Sequence, residues 1–134
     1  MRTKPIIIIL VTTTLLGACV SYQPSIILEE DYFNFGDVIN GEIMTYELTV
    51  SNKGNSPLEI ESVSTSCGCT TATLEPMTIQ PGEKGTLHIE FDSGAHGPEL
   101  TGELVRQIFI ISNDPNMPEA KIEFVANILP KSSP

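Results

Sequence analysis

From Ile26 onward, apolar and polar residues alternate with a period of two. Tyr46, Leu48 and Val50 are interleaved with Glu47, Thr49 and Ser51, and Leu58 and Ile60 with Glu59 and Glu61. Leu87, Ile89 and Phe91 alternate with His88, Glu90 and Asp92. Ile122, Phe124, Ala126 and Ile128 alternate with Lys121, Glu123, Val125 and Asn127. Successive side chains of a strand point to opposite faces, so each run predicts a strand with one buried and one wet face. No stretch of this region carries the apolar stripe of a helix. Between the runs lie Asn40-Gly41, Lys53-Gly54-Asn55-Ser56-Pro57, Pro81-Gly82-Glu83 and Asn113-Asp114-Pro115, which are turn formers. Strands with turn signals about every 8–12 residues predict an all-β chain, an antiparallel β-sandwich of about seven strands.

Two places break the alternation. Ile108-Phe109-Ile110-Ile111 is apolar on both faces, so Phe109 and Ile111 point away from the core that Ile108 and Ile110 enter. Either another element covers them, or they form an exposed patch of the kind that marks interaction sites, with Val125 a neighbour on the following strand. Ser64 to Thr73 holds only Ser, Thr, Cys, Gly and Ala. A segment without bulky side chains is expected to bend, bulge or cross between sheets.

The N-terminus has a different character. Arg2 and Lys4 precede an apolar run from Ile6 to Ala18, interrupted only by Thr12 to Thr14. A run of 13 residues is short of the ~20 that a membrane-spanning helix needs, and has the length and flanks of a signal-peptide core. It ends in Leu16-Gly17-Ala18-Cys19, which resembles the lipobox of bacterial lipoproteins. That resemblance implies cleavage before Cys19 and lipid on its thiol. The expected organisation is a signal peptide over 1–18, a lipidated Cys19 with a short tether over 19–25, the sandwich over 26–130 and a disordered tail over 131–134. No acidic residue directly follows Cys19. In an enteric-like sorting system that directs a lipoprotein to the outer membrane, and the chain is expected in the cell envelope at the outer membrane or the periplasmic face.

Charge narrows the partners. Of seven Lys and Arg, Arg2 and Lys4 precede the cut, leaving five against 17 Asp and Glu and a formal charge of −12. Such a surface repels phosphate, which argues against nucleic acid, and it opposes anionic headgroups, so lipid must do the anchoring. One acyl chain binds only marginally and stable attachment takes two. The 116 residues left after cleavage of the 134 suffice for one self-supporting core.

Three cysteines are an odd number for an exported chain. If Cys19 carries lipid, Cys67 and Cys69 remain as an even pair. On an extended strand residues two apart face the same way with Cα atoms ~6.6 Å apart, within the ~6.8 Å limit for a disulfide. Gly68 between them lets the backbone pucker. A three-residue loop yields only ~1.6 kcal/mol of chain-entropy stabilisation, so a bridge here is a poor staple. Three readings stand: a local disulfide or buried thiol pair that packs, a redox-active dithiol, or a soft-metal site completed by a third ligand from elsewhere.

Other candidates are weaker. His88 falls on the outward face of its strand and reads as solvated. His96 lies in Ser93-Gly94-Ala95-His96-Gly97-Pro98, expected to be a flexible loop. Asp92, Ser93 and His96 imitate a hydrolase triad, but triads assemble from distant segments on a rigid frame. Asp114, Asn116 and Glu119 offer oxygens to calcium, although turn formation accounts for them. No metalloprotease helix motif, phosphate loop or dinucleotide fingerprint occurs, so neither an enzyme nor a cofactor is expected.

The mature chain resembles the bacterial family called domain of unknown function 1573, whose members are immunoglobulin-like sandwiches related to the ASH domains (ASPM, SPD-2, Hydin). The matching residues are Phe33-Asn34-Phe35-Gly36-Asp37-Val38, Val50-Ser51-Asn52-Lys53-Gly54, Pro57-Leu58-Glu59-Ile60, Ser66-Cys67-Gly68-Cys69-Thr70, Ile79-Gln80-Pro81-Gly82-Glu83, Ile89-Glu90-Phe91-Asp92 and Ile111-Ser112-Asn113-Asp114-Pro115. The Ser93 to Gly102 loop is longer than the family's pattern. The resemblance implies an immunoglobulin-like fold and an envelope location, and it implies no activity. The expected function is a membrane-anchored, non-catalytic binding or structural module, monomeric and with a protein partner in the envelope. The alternative is thiol-redox or copper handling through Cys67-Gly68-Cys69.

Overall fold

The computed structural model describes residues 19–131; the signal-peptide reading of 1–18 and residues 132–134 of the expected tail lie outside the described residues. Nine strands follow in order: β1 (Ile26–Leu28), β2 (Tyr32–Ile39), β3 (Ile43–Asn52), β4 (Leu58–Thr65), β5 (Thr70–Glu75), β6 (Thr78–Ile79), β7 (Lys84–Asp92), β8 (Gly102–Ser112) and β9 (Glu119–Leu129). They form a four-stranded sheet, β1-β3-β7-β5, packed on a five-stranded sheet, β2-β9-β8-β4-β6. The all-β sandwich expected from the periodicity is present. The count is nine rather than about seven because β1 and β6 span three and two residues, too short to display a period.

The apolar phase of each predicted run is the buried one. Leu48 and Val50, Leu58 and Ile60, Leu87, Ile89 and Phe91, and Ile122, Phe124, Ala126 and Ile128 all lie in the core. Where antibody-type domains use tryptophan and a disulfide between sheets, this chain uses phenyl rings. Phe33 stacks on Tyr46 at 4.0 Å and on Phe124 at 5.3 Å, and Phe91 meets Phe124 edge-on at 5.4 Å. These contacts tie β2 and β9 of one sheet to β3 and β7 of the other. Each such aromatic pair contributes about 0.5–1.5 kcal/mol beyond its burial.

One pairing departs from the antiparallel expectation: β2 runs parallel to β9. Parallel neighbours require a long connection. Here the chain enters through β1 in one sheet, crosses to the other as β2, and reaches β9 only after the remaining strands are laid down. Alternation alone does not reveal strand direction.

Residues 21–25 of the segment expected to be a short tether are docked against the β3–β4 turn. Ser21 O and Gln23 O accept hydrogen bonds from Asn55, and Lys53 N donates to Ser25 O at 2.8 Å. Pro24 is buried. A Cβ at Gly54 would overlap the Gln23 carbonyl, so glycine is needed where the two backbones cross. Only Cys19 and Val20 of the described residues precede this docked segment.

Candidate functional site

Ser66 to Cys69 is where the chain leaves the five-stranded sheet at β4 and enters the four-stranded sheet at β5. Of the bend, bulge or crossover expected from the small-residue run, the crossover is present, and it is held by hydrogen bonds to β8 and β7. Ser66 N donates to Gln107 O at 2.9 Å and Gln107 N to Ser66 Oγ at 2.9 Å. Thr65 Oγ1 lies 2.9 Å from the carbonyls of both Cys67 and Thr70. Asp92 N donates to Cys69 O at 2.8 Å.

Cys67 and Cys69 form a disulfide with Cα atoms 5.3 Å apart. They sit in a turn rather than on an extended strand, and that turn, not a pucker of Gly68, brings the Cα atoms closer than extended spacing. Gly68 lacks a positive φ, and a Cβ there would meet open space. Cys69 is buried at 3% exposure beside the core, whereas Cys67 is half-buried. The buried Thr70 places its Oγ1 3.6 Å from Cys69 Sγ and 3.8 Å from Cys67 Sγ.

Two further side chains converge on the sulfurs. Arg106 of β8 donates through Nε to Cys67 Sγ at 3.2 Å and to Cys69 Sγ at 3.3 Å. Its Nη1 donates to Val105 O at 2.8 Å, which fixes the guanidinium plane. Sequence reasoning missed Arg106, although a signal was present: it stands in phase with Leu104, Ile108 and Ile110, the inward positions of β8. A cation on an inward phase has to meet something at the end of the sandwich, and here it meets two sulfurs. Among the described residues the one contact between a basic side chain and a carboxylate joins His88 Nδ1 to Glu47 Oε1 at 2.9 Å, so the Arg106 charge has no carboxylate partner there.

His96 is the second. A ring nitrogen of His96 and the sulfurs of Cys67 and Cys69 all lie within 4.8 Å of one another. The loop that carries His96 was expected to be flexible, yet it is tied down. Asn40 Nδ2 donates to Gly97 O and Leu100 O, each at 3.0 Å. Gly41 N donates to Ser93 Oγ at 3.0 Å, and Gly94 N to Asp92 Oδ1 at 2.8 Å. Ser93 Oγ, fully buried, lies 3.0 and 2.8 Å from the carbonyls of Ile39 and Glu42 and donates its one proton between them. Ser93 therefore serves the loop and is no nucleophile for His96.

The remaining candidates resolve as structure. His88 stays on the outer face of β7, remote from the cysteines and paired with Glu47 across the strands. Asp114 is buried and both of its carboxylate oxygens accept backbone amides, from Ile26, Asn116 and Met117. That arrangement is the turn reading, not a calcium loop.

Phe109 and Ile111 lie on the outer face of β8, half-buried, next to Ser64 and Ser62 of β4. Among the described residues no third layer covers this face; β8 packs laterally between β4 and β9. Val125 is not their neighbour. The β8–β9 register sets it opposite Val105 and sets Lys121 opposite Phe109. The outward positions of β8 thus run Val105, Gln107, Phe109 and Ile111, with Val105 44% exposed and Gln107 Nε2 donating to Glu123 Oε2 at 3.1 Å.

Solved structures with this architecture include a protein of unknown function from Porphyromonas gingivalis W83, 26% identical, covering 84% of this chain and 51% of that one, with a TM-score of 0.69. This chain therefore corresponds to about half of that protein. An ASH/PapD-like domain of human CEP192 matches over 92% of this chain and 99% of its own, at 9% identity and a TM-score of 0.61. The YadV chaperone matches over 81% and 54%, at 16% identity and a TM-score of 0.57. The latter two likenesses concern fold alone. No curated protein matches the sequence. The family model described as "Protein of unknown function (DUF1573)" matches residues 26–128, from the first strand to the last, and the chain belongs to that family.

Proposed function

We propose that this protein is a non-catalytic immunoglobulin-like binding module, cut before Cys19 and held at a cell-envelope membrane by lipid on that residue. The observation that carries the binding reading is the outer face of β8. Phe109 and Ile111, with Val105 beyond Gln107 on the same face, form an apolar stripe with no covering layer among the described residues, bordered by Ser62, Ser64, Lys121 and Glu119. An uncovered apolar stripe with a polar border is what a protein partner buries.

The docked N-terminal segment gives the tether a geometric consequence. Residues 21–25 lie against the β3–β4 turn, while β4 runs from that end towards Cys67. A strand of this length covers roughly 25 Å. Lipid at Cys19 holds the β3–β4 end near the bilayer and presents the Cys67–Cys69 end to the aqueous side. Envelope location rests on the Leu16-Gly17-Ala18-Cys19 motif.

The test is a photo-crosslinking residue introduced at Phe109, with Glu90 on the opposite sheet as control, in cells that make the protein. A discrete crosslinked envelope protein from the Phe109 position alone is the expected outcome. Phe109→Ser, with a melting temperature nearly unchanged, should abolish partner crosslinks from Val105. A large loss of stability in Phe109→Ser would sink the reading, because the ring would then be serving the fold.

A second reading, thiol-redox or soft-metal handling through Cys67 and Cys69, is favoured by one observation: an unpaired guanidinium directed at both sulfurs. A neighbouring cation stabilises thiolate over thiol and gives cysteines their reactivity. Native-state titration of thiols before and after reductant tests it.

A further inference from the structure

We propose that Cys67, Cys69 and His96, once the disulfide is reduced, hold one soft monovalent metal ion, copper(I) in class, with Arg106 balancing the charge of the complex. This deepens the second reading above and rests on it, and it is independent of the partner-binding face on β8.

The donor set selects the chemistry. Two thiolates and one imidazole nitrogen are brought within 4.8 Å of one another from two segments that only the fold joins. Metal–sulfur and metal–nitrogen bonds of about 2.0–2.3 Å place the donors of a three-coordinate site ~4 Å apart, so the observed cluster needs only the two sulfurs to part. Thiolate donors select copper(I) over hard cations. Structural zinc takes four protein ligands, and the cluster among the described residues offers three.

Charge then selects the valence. Two thiolates and a monovalent ion leave a net charge of −1 on the complex. The Arg106 guanidinium, 3.2 and 3.3 Å from the sulfurs, brings the half-buried assembly to neutrality. A divalent ion would already neutralise the two thiolates, and Arg106 would then be an uncompensated cation against it. Cys69 and Thr70 are buried and hold the site's inner wall, while His96 closes it from an exposed loop. That loop is itself fixed by Asn40 and Ser93, so the third ligand is positioned before any ion arrives.

The steps balance. The disulfide takes two electrons and two protons from a thiol reductant, two RSH becoming RSSR, and gives two cysteine thiols. Binding the ion then releases two protons to solvent as both sulfurs become ligands. The oxidised form has no thiolate and is the closed state of the site.

The test uses the full-length protein in detergent, reduced, freed of reductant without air, and titrated with copper(I) against a chromophoric chelator. Silver(I) serves as a redox-inert probe. One ion should bind per reduced chain and none tightly to the oxidised chain. His96→Gln and Arg106→Gln should each weaken binding by about tenfold, while Arg106→Lys retains most of the affinity and unchanged melting curves confirm that all three variants fold. Equal affinity in wild type, His96→Gln and Arg106→Gln would overturn the proposal, as would zinc(II) displacing copper(I) at comparable concentration. If reductant exposes two additional thiols but no ion binds above the level of Cys67→Ser with Cys69→Ser, this inference fails and the thiol-redox reading survives. If no additional thiols appear in the native protein, both fail.

Discussion

The backbone amide of Ile26 donates a 2.8 Å hydrogen bond to Asp114 Oδ2, joining the first strand to the turn between the last two. The other oxygen, Oδ1, accepts Asn116 N at 2.8 Å and Met117 N at 3.2 Å. At 2% exposure, Asp114 serves three amides in place of water. Asp114→Ala should therefore lower stability by about 3 kcal/mol, the range for losing hydrogen bonds to a charged acceptor and orphaning a buried amide. Chemical denaturation measures it. Asp114→Asn should recover part of the loss, and calcium should leave both curves in place because the carboxylate oxygens are already occupied.

Replacing both Cys67 and Cys69 by alanine should cost no more than about 2 kcal/mol. A three-residue loop restrains the unfolded chain by only ~1.6 kcal/mol, and the crossover keeps its hydrogen bonds from Ser66, Thr65 and Asp92 without the sulfurs. A denaturation curve shifted by much more than this would make the pair a structural element of the fold.

Tyr46 donates its phenol O–H to Glu30 Oε1. The hydrogen bond to Glu30 is the main cause that raises the Tyr46 pKa above its usual 10.0, with burial and the charges of Glu30 and Glu29 adding to it. Because the folded value is raised, the stabilisation is fully present below the unfolded pKa and is lost as pH rises through the folded one. An alkaline absorbance titration should find one of the three tyrosines ionising last, and Tyr46→Phe should remove that step.

Cys19→Ala should leave the protein without lipid and largely unprocessed. Metabolic labelling with a clickable fatty acid reads this directly. Undiminished label in the variant would place the modification elsewhere and remove the basis for the membrane tether.

Much of the fold was legible in the chain because burial in a sandwich has a local signature. A strand with one wet face must alternate, and the alternating phases of Leu48, Ile89 and Phe124 are the phases that are buried. The run of small residues before β5 was readable as a break in the strand pattern, a bend, bulge or crossover, since a segment with little area to bury gains little from staying in a sheet; the fold made it a crossover. Strand direction was not readable: β2 has the same pattern whether it lies parallel or antiparallel to β9.

The sequence by itself determined the class of fold, the break in the strand pattern at Ser64 to Thr73 and the closeness of Cys67 to Cys69, because each depends on residues adjacent along the chain. The tertiary structure alone decided what stands beside that pair. Arg106 is 39 residues from Cys67 and is brought to it by β8 pairing with β4. His96 reaches the sulfurs because Asn40, 57 residues before Gly97, holds its loop. It likewise set Val125 against Val105 rather than Phe109, since the register between two strands is fixed by the turn and core packing of the whole sheet. Contacts between distant segments cost loop-closure entropy that only the completed core offsets, so they belong to the folded molecule; the inward phase of Arg106 marks it in the chain without naming what it meets.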